Sequence, residues 1–228
     1  MSILERTPVT KRRPAVALQS GIVNMQTARI AILISGRGSN MVALSKAVAQ
    51  GEVPGAQIVL VVSDKPNAAG LDAATELGIE TLIVERRGRS REEHEIEIIS
   101  ALRERKVDLV CLAGYMRLLS SCFIEAFPRR ILNIHPSLLP SFPGLDAHHQ
   151  ALAHGVKFSG CTVHFVDDTL DGGPIIAQRV VPVLDDDSEE TLSARILEQE
   201  HSVYAEALRL VVSGAYEIVG RQVVKMRG

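Results

Sequence analysis

The sequence has no apolar run that approaches the ~20 residues needed for a membrane-spanning helix. It also has no excess of positive charge, because 25 lysines and arginines are set against 27 aspartates and glutamates. No global positive field is therefore available to neutralise the phosphates of a nucleic acid. These two absences argue against a membrane partner and against a nucleic-acid partner.

Cysteine is scarce and shows neither redox nor metal-site spacing. Cys111, Cys122 and Cys161 form no C-x-x-C pair, and two of the three lie in apolar strand patterns. Inert buried thiols in a reducing cytoplasm are the interpretation that this pattern favours. The chain also lacks H-E-x-x-H and any compact acidic cluster, and histidines such as His148 and His164 are scattered, so no metal site is predicted.

The first 28 residues differ from the rest of the chain. The basic cluster Lys11–Pro14 stands among small residues, and no apolar segment follows it, which argues against a signal peptide. We predict a poorly ordered tail over residues 1–28 and one domain over residues 29–228, since no repeat, low-complexity segment or linker divides the remainder. An organellar transit peptide, or a second start at Met25, stays open.

Apolar strands alternate with helical segments from Arg29 onward. Strands are predicted at residues 30–34, 58–62, 81–84, 107–113 and 131–135, and helices at about 41–50, 69–77, 91–105 and 119–126. Continuous apolar strands separated by helices are typical of a parallel sheet that is covered on both faces.

The last third of the chain shows a different pattern. Residues 162–166 and 175–183 are predicted to be strands joined only by a loop, so the sheet is expected to gain antiparallel neighbours. Ser188 is expected to cap a helix through about residue 213, and residues 216–225 to form a strand or hairpin. The predicted fold class is α/β, a mostly parallel doubly wound sheet with antiparallel C-terminal additions in a single domain.

A glycine-rich loop, Ser35–Asn40, follows the first strand and opens the first helix. In a doubly wound sheet, ligands bind beyond the carboxyl ends of the strands. The amides and the dipole of a helix N-terminus attract an anion. Gly36 and Gly38 would let the backbone approach a phosphate closely. The alternative is a plain turn between strand and helix.

The same loop argues against a dinucleotide. Met41 occupies the third glycine position of the dinucleotide fingerprint, where helix and strand need a small residue, although Asp64 ends the second strand where a ribose-binding acid would lie. A monophosphate therefore fits better. Ser39 or Asn40 is expected to cap the helix.

Asn133 and His135 end the fifth strand, where the period of two places both side chains on one face. Pro136 removes a backbone donor and stops that strand. Asp171 follows later, in the turn Leu170–Pro174. An amide, an imidazole and a carboxylate together can supply an oxyanion donor, an acid or base, and a group that favours imidazolium. Taken alone, Asp171 would equally suit a turn residue.

These motifs together resemble the family of folate-dependent phosphoribosylglycinamide formyltransferases of purine synthesis. The resemblance covers about residues 29–217 and is carried by Gly36–Asn40, Gly114–Leu119, Asn133–Pro140 and Leu170–Pro174. It implies formyl transfer from 10-formyltetrahydrofolate to the amine of glycinamide ribonucleotide through a tetrahedral intermediate. These two small molecules are then the expected partners, with no metal and no covalent enzyme intermediate. The oligomeric state is left open.

The resemblance also implies three groups of site residues. The catalytic residues would be Asn133, His135 and Asp171. The ribonucleotide and its phosphate would bind to Gly38, Ser39, Asn40 and Glu200. The folate would be lined by Arg91, Met116, Arg117, Leu118, Leu119, Asn133, Asp167, Asp168, Thr169, Leu170 and Asp171, with Arg117 acting through its backbone or its packing.

Two related formyl-handling families share the Asn-x-His and Asp arrangement. Deformylases carry a regulatory domain in front of this one and a second histidine at the position of Pro136. Methionyl-tRNA formyltransferases carry a further C-terminal domain for RNA. The short segment before Arg29, the few residues after Lys225 and the acidic net charge favour the ribonucleotide enzyme. A non-catalytic nucleotide- or folate-binding module is the alternative of another class, and it would have no use for Asn133 and His135 together.

Overall fold

The structure, a computed structural model, describes residues 27–226. The predicted tail therefore lies almost wholly outside the described residues, and the first strand begins at Ala28, one residue before the predicted domain boundary. The described elements are β1 (Ala28–Ile34), α1 (Ser39–Ala49), β2 (Ala56–Ser63), α2 (Ala69–Glu76), β3 (Thr81–Ile83), α3 (Arg91–Glu104), β4 (Leu109–Leu112), α4 (Ser121–Ala126), β5 (Ile131–His135), α5 (Ala147–Ala153), β6 (Phe158–Phe165), β7 (Ile175–Pro182), α6 (Glu189–Ser213), β8 (Tyr216–Val219) and β9 (Gln222–Lys225).

All described strands belong to one sheet with the order β3-β2-β1-β4-β5-β6-β7-β9-β8. The strands from β3 to β5 pair in parallel, since a helix lies between each pair along the chain. β6 runs antiparallel to β5 and β7 antiparallel to β6, while β8 and β9 form a terminal hairpin. The predicted fold class is confirmed, including its antiparallel additions.

Strand β1 shows why its sequence is continuously apolar. Ile30, Ile32 and Ile34 enter a core cluster on one face of the sheet, where α1 and α6 contribute side chains. Ala31 and Leu33 enter a second cluster on the other face, where α3 and α4 contribute. Because successive side chains of a strand point to opposite faces, a strand covered on both sides needs an apolar residue at every position.

Two local predictions were wrong. Helix α1 begins at Ser39, and its N-cap is Gly38 with a φ of 73°, so neither Ser39 nor Asn40 supplies a side-chain cap. Cys122 is exposed, whereas Cys111 and Cys161 are buried as predicted. Burial raises the pKa of the Cys111 and Cys161 thiols to about 12, so both remain unreactive thiols at neutral pH.

The helices within residues 27–226 include none that is both long enough and apolar enough to cross a membrane. The longest, α6, has the predicted N-terminus. The hydroxyl of Ser188 accepts a hydrogen bond from the backbone amide of Thr191, and the hydroxyl of Thr191 accepts one from the backbone amide of Ser188. This capping box directs α6 back across the sheet, where Glu200 reaches α1.

Candidate active site

The end of β5 brings the predicted amide and imidazole together with a histidine that the sequence left unassigned. In the antiparallel pair of β5 and β6, Asn133 lies directly opposite His164. Opposed residues share a face of the sheet, and the Asn133 amide nitrogen lies 3.2 Å from Nε2 of His164. His164 is therefore part of the site.

The hydrogen bonds of His164 determine the role of Asn133. Nδ1 of His164 lies 2.8 Å from the carbonyl oxygen of Phe165, so this nitrogen carries the proton and donates. Burial lowers the pKa of His164, which keeps the ring neutral and leaves Nε2 as an acceptor. The Asn133 amide group must then donate to it, with its second N–H left for a substrate oxygen. His164 thus holds Asn133 as a donor.

His135 is buried between two acceptors. Its Nε2 lies 2.8 Å from the carbonyl oxygen of Phe142, and its Nδ1 lies 3.5 Å from Oδ2 of Asp171. Only the contact with Phe142 has the length of a hydrogen bond, so the Nδ1–H of a protonated ring would remain available to a further acceptor, with the Asp171 carboxylate beside it. The arrangement therefore suits imidazolium as a hydrogen-bond donor.

The Asp171 side chain contacts residues outside its own turn. Its backbone has a φ of 47°, a region that residues with a side chain seldom adopt. Oδ2 accepts a hydrogen bond of 2.8 Å from the amide of Gly144, and Oδ1 lies 3.7 Å from Nε2 of His164. The structure thus brings Asn133, His135 and Asp171 together, and the carboxylate lies between two imidazole rings.

The glycine-rich loop lies at the carboxyl end of β1, which β4 separates from β5 in the sheet. The side-chain Nδ2 of Asn40 donates to Oε2 of Glu200 at 2.7 Å, although the two residues are 160 positions apart. Both side chains are buried, and Oδ1 of Asn40 has no partner among the described residues. Burial raises the pKa of Glu200, while the hydrogen bond from Asn40 opposes this shift. Two of the predicted ribonucleotide residues, Asn40 and Glu200, are therefore in contact, and Asn40 retains an unsatisfied acceptor.

A cavity of about 660 Å³ opens beside this loop and away from His135. It lies where β1, β2 and β3 end, and it is lined by Ser35–Arg37, Asp64–Ala69 and Glu85–Arg87. Cationic side chains from all three segments face solvent at its rim. The first residues of the loop therefore border an open cavity with cationic side chains at its rim.

The predicted folate segment Met116–Leu119 follows β4. Met116 and Leu118 expose 69% and 58% of their surface, which suits an apolar ligand face better than a monomer surface in water. The amide of Met116 donates to the hydroxyl of Ser35 at 3.0 Å, so this segment is tied to the start of the glycine-rich loop. Arg117 points to Asp64, with 3.6 Å between Nη1 and Oδ2, which leaves its backbone for a ligand.

The remaining predicted folate residues make fewer contacts with the rest of the candidate site. Asp167 accepts a hydrogen bond of 2.9 Å from the amide of Thr169, which shapes the turn before Asp171. Asp168, Thr169 and Leu170 are exposed. Arg91 is also exposed, at the first position of α3, and its side chain makes no ion pair or hydrogen bond with the described residues, including Asn133, His135 and Asp171.

Glu95 is a second residue that sequence reasoning missed. It is buried on α3, one turn after Arg91, and both carboxylate oxygens accept from the amide of Ser120 at 3.1 Å. The Ser120 hydroxyl also donates to it. Because Ser120 directly follows Met116–Leu119, Glu95 anchors the end of that segment. A carboxylate between apolar positions of a helix was the signal available in the sequence.

Comparison with known proteins gives a consistent result. The profile of the formyl transferase family matches residues 28–208. The chain is 45% identical over 176 residues to the phosphoribosylglycinamide formyltransferase of Escherichia coli K12, covering 77% of this chain and 82% of that enzyme. The crystal structure of glycinamide ribonucleotide transformylase 1 from Symbiobacterium toebii superposes with a TM-score of 0.86 at 48% identity, covering 88% of this chain and 95% of that one.

A much longer relative shows the same similarity over part of its length. The chain is 46% identical over 204 residues to the trifunctional purine biosynthetic protein adenosine-3 of Drosophila melanogaster. The match covers 88% of this chain but only 15% of that protein. The similarity therefore concerns one segment of the Drosophila protein.

Proposed function

The chain belongs to the formyl transferase family, and from this premise we propose that it transfers the formyl group of 10-formyltetrahydrofolate to the amine of glycinamide ribonucleotide, a step of purine synthesis. The observation that carries the proposal is the cluster at the end of β5. An amide held as a donor by His164 lies beside an imidazole held by Asp171. The similar enzymes of Escherichia coli and Symbiobacterium toebii, which are glycinamide ribonucleotide formyltransferases by name, support the choice of substrates.

The reaction forms one carbon–nitrogen bond and breaks another. The neutral amine of the ribonucleotide attacks the formyl carbon, and the carbonyl oxygen of that group becomes an oxyanion. Asn133, through its second N–H, and His135, as imidazolium, are the donors that stabilise it. Loss of one preorganised donor of this kind raises the barrier by about 3 kcal/mol.

Two proton transfers complete the reaction. The attacking amine loses a proton, and the folate nitrogen gains one as its bond to the formyl carbon breaks. We assign the first transfer to Asp171, directly or through a water, because its carboxylate lies beside His135. Since both substrates react directly with each other, much of the rate is expected to come from their orientation.

The ribonucleotide subsite is proposed to lie between the glycine-rich loop and α6. The amides at the start of α1 bind the phosphate, with help from the helix dipole. Glu200 and the unsatisfied Oδ1 of Asn40 accept hydrogen bonds from the remainder of the ribonucleotide. The folate is proposed to lie against Met116–Leu119 and the turn before Asp171.

One assay separates this function from its alternatives. Purified protein is incubated with 10-formyltetrahydrofolate, and tetrahydrofolate is measured with and without glycinamide ribonucleotide. Turnover that depends on the ribonucleotide supports the transferase. Turnover with water alone would identify a deformylase, and binding without turnover would identify a non-catalytic module.

Glu200→Gln is expected to separate stability from substrate binding. Since burial raises the pKa of Glu200, its ionised form is disfavoured in the folded state, and stability falls as pH rises from the ordinary glutamate pKa of 4.5 through the raised pKa. Glutamine has no charge to bury, so the variant is expected to have the higher Tm at pH 8. That advantage should vanish at about pH 3, well below the ordinary glutamate pKa of 4.5, where Glu200 of the wild type is protonated in both states.

The same variant is expected to bind glycinamide ribonucleotide about tenfold more weakly, as loss of a charge-assisted hydrogen bond implies. Calorimetric unfolding at both pH values and titration with the ribonucleotide measure the two effects. Glu198→Gln on the same helix is the control. A Tm difference that does not change with pH would show that Glu200 ionisation does not affect stability.

Arg91→Ala is expected to raise KM for the folate about three- to tenfold, with KM for the ribonucleotide unchanged, because a surface guanidinium pairs modestly with a carboxylate. Steady-state kinetics with each substrate varied in turn measures both constants. Arg103→Ala, an exposed arginine at the other end of α3, is the matched control. An unchanged folate KM for Arg91→Ala would exclude Arg91 from the folate subsite.

A further inference from the structure

The glycine-rich loop is packed directly on the first turn of α2. The amide of Gly70 donates a hydrogen bond of 3.1 Å to the carbonyl oxygen of Gly36. A methyl group added at Gly70 would lie 3.1 Å from Cα of Gly38, 3.2 Å from the Gly36 oxygen and 2.6 Å from Cδ1 of Ile34. In the other direction, a methyl group on Gly38 would lie 2.8 Å from Cα of Gly70. The two backbones are therefore in contact without room for a side chain between them.

Helix formation does not explain a glycine at position 70. Glycine is less favourable than alanine inside a helix, and Gly70 is the second residue of α2. The N-cap, Ala68, provides no side-chain hydrogen bond to the first turn. The backbone carbonyl of Gly36 accepts a hydrogen bond from that turn instead, so the loop caps α2. A purely helical role would favour alanine, whereas contact with the loop requires glycine.

This contact determines the shape of the loop that opens α1. The hydrogen bond from Gly70 sets the direction of the Gly36 carbonyl, two residues before Gly38. Gly38 is the N-cap of α1 and adopts a φ of 73°. The amides of the following residues, Ser39 and Asn40, are the first of the helix and have no partner within it. A displacement of Gly38 would therefore misdirect the amides that are proposed to bind phosphate.

We propose that Gly70 is a positioning residue for the phosphate subsite, holding the Gly36–Gly38 loop in the conformation that binds the phosphate of the ribonucleotide. This inference rests on the proposed function. Gly70 does not itself touch the reacting atoms, and its effect is expected to be confined to the phosphate-bearing substrate.

The test compares glycinamide ribonucleotide with the same molecule lacking its phosphate, glycinamide riboside. The ratio of the two dissociation constants reports the contribution of the phosphate alone. Titration calorimetry is carried out on the wild type, on Gly70→Ala and on Asp72→Ala, an exposed residue of the same helix that serves as the control. In the wild type and in Asp72→Ala the phosphate is expected to improve binding strongly. In Gly70→Ala the ratio is expected to fall about tenfold or more, while the dissociation constants of the riboside and of the folate stay unchanged.

A second background keeps the test decisive if the added methyl group destabilises the core. Ile34→Val removes Cδ1, the atom closest to the methyl group at position 70. The contacts with Gly38 and Gly36 remain, so the ratio is still expected to fall when Gly70→Ala is combined with Ile34→Val, relative to Ile34→Val alone. Thermal unfolding shows which variants are folded.

The possible outcomes distinguish a failure of the Gly70 proposal from a failure of the proposed function. If the wild type binds ribonucleotide and riboside equally well, the loop is not a phosphate subsite, and the proposed function loses its ribonucleotide site. If the wild type prefers the ribonucleotide and Gly70→Ala keeps that preference within about twofold, Gly70 has no positioning role.

Discussion

His135→Asn is expected to lower kcat by about 10²- to 10³-fold, the usual effect of removing one donor that stabilises an oxyanion. The imidazole is buried, with Phe142 on one side and Asp171 on the other, and asparagine is too short to keep both contacts. Dissociation constants for the two substrates are expected to change little, because the donor acts on charge that develops during the reaction. Rapid-quench turnover and calorimetric binding measure the two quantities separately.

The control for this prediction is His149→Asn, in which an exposed histidine of α5 is replaced. It is expected to retain wild-type kcat. A kcat for His135→Asn within about threefold of the wild type would remove His135 from the chemistry.

Asp171→Asn is expected to lower kcat by about 10²- to 10⁴-fold, the range for loss of a residue that transfers protons. The substitution removes the charge at nearly constant volume and keeps an oxygen for the amide of Gly144. The fold is therefore expected to persist, with an unchanged far-ultraviolet spectrum. Asp168→Asn, in the same turn but exposed, is the matched control and should retain full activity.

His164 provides a second readout for Asp171→Asn. Burial lowers the pKa of His164, and the Asp171 carboxylate partly opposes that shift by attracting the proton. Without the carboxylate, the pKa is expected to fall further, so that His164 takes up a proton only at a still lower pH. A folded protein that lowers the pKa of a histidine becomes less stable as pH falls, because the unfolded chain takes up the proton more readily. The variant is therefore expected to be more sensitive to acid than the wild type.

NMR titration of the His164 ring in the two proteins tests this shift, alongside unfolding as a function of pH. An identical titration of His164 with asparagine at position 171 would show that the carboxylate does not act on this ring. If turnover also stayed near wild type, Asp171 would be only a turn residue.

Local patterns were sufficient for much of the fold. The continuous apolar run of β1 indicated a strand that is buried on both faces, and its side chains do enter both core clusters. The start of α6 at Ser188 was also predictable, because a capping box is made by residues three positions apart. The start of α1 was not. Its N-cap is a glycine whose left-handed backbone is set against Gly70, and no neighbouring residue along the chain signals that contact.

In the candidate site, too, some features were predictable from local sequence and others depend on tertiary contacts. By itself, the sequence determined that Asn133 and His135 share a face at the end of a strand, that a glycine-rich loop opens a helix, and that Asp171 occupies a tight turn. These features depend on the period of a strand and on the chemistry of turns, which act over a few residues. Only the tertiary structure decided that His164 holds Asn133, that Glu200 meets Asn40 and that Glu95 anchors Ser120. Those contacts follow from strand register and helix packing, and both depend on how distant segments fill the space between them.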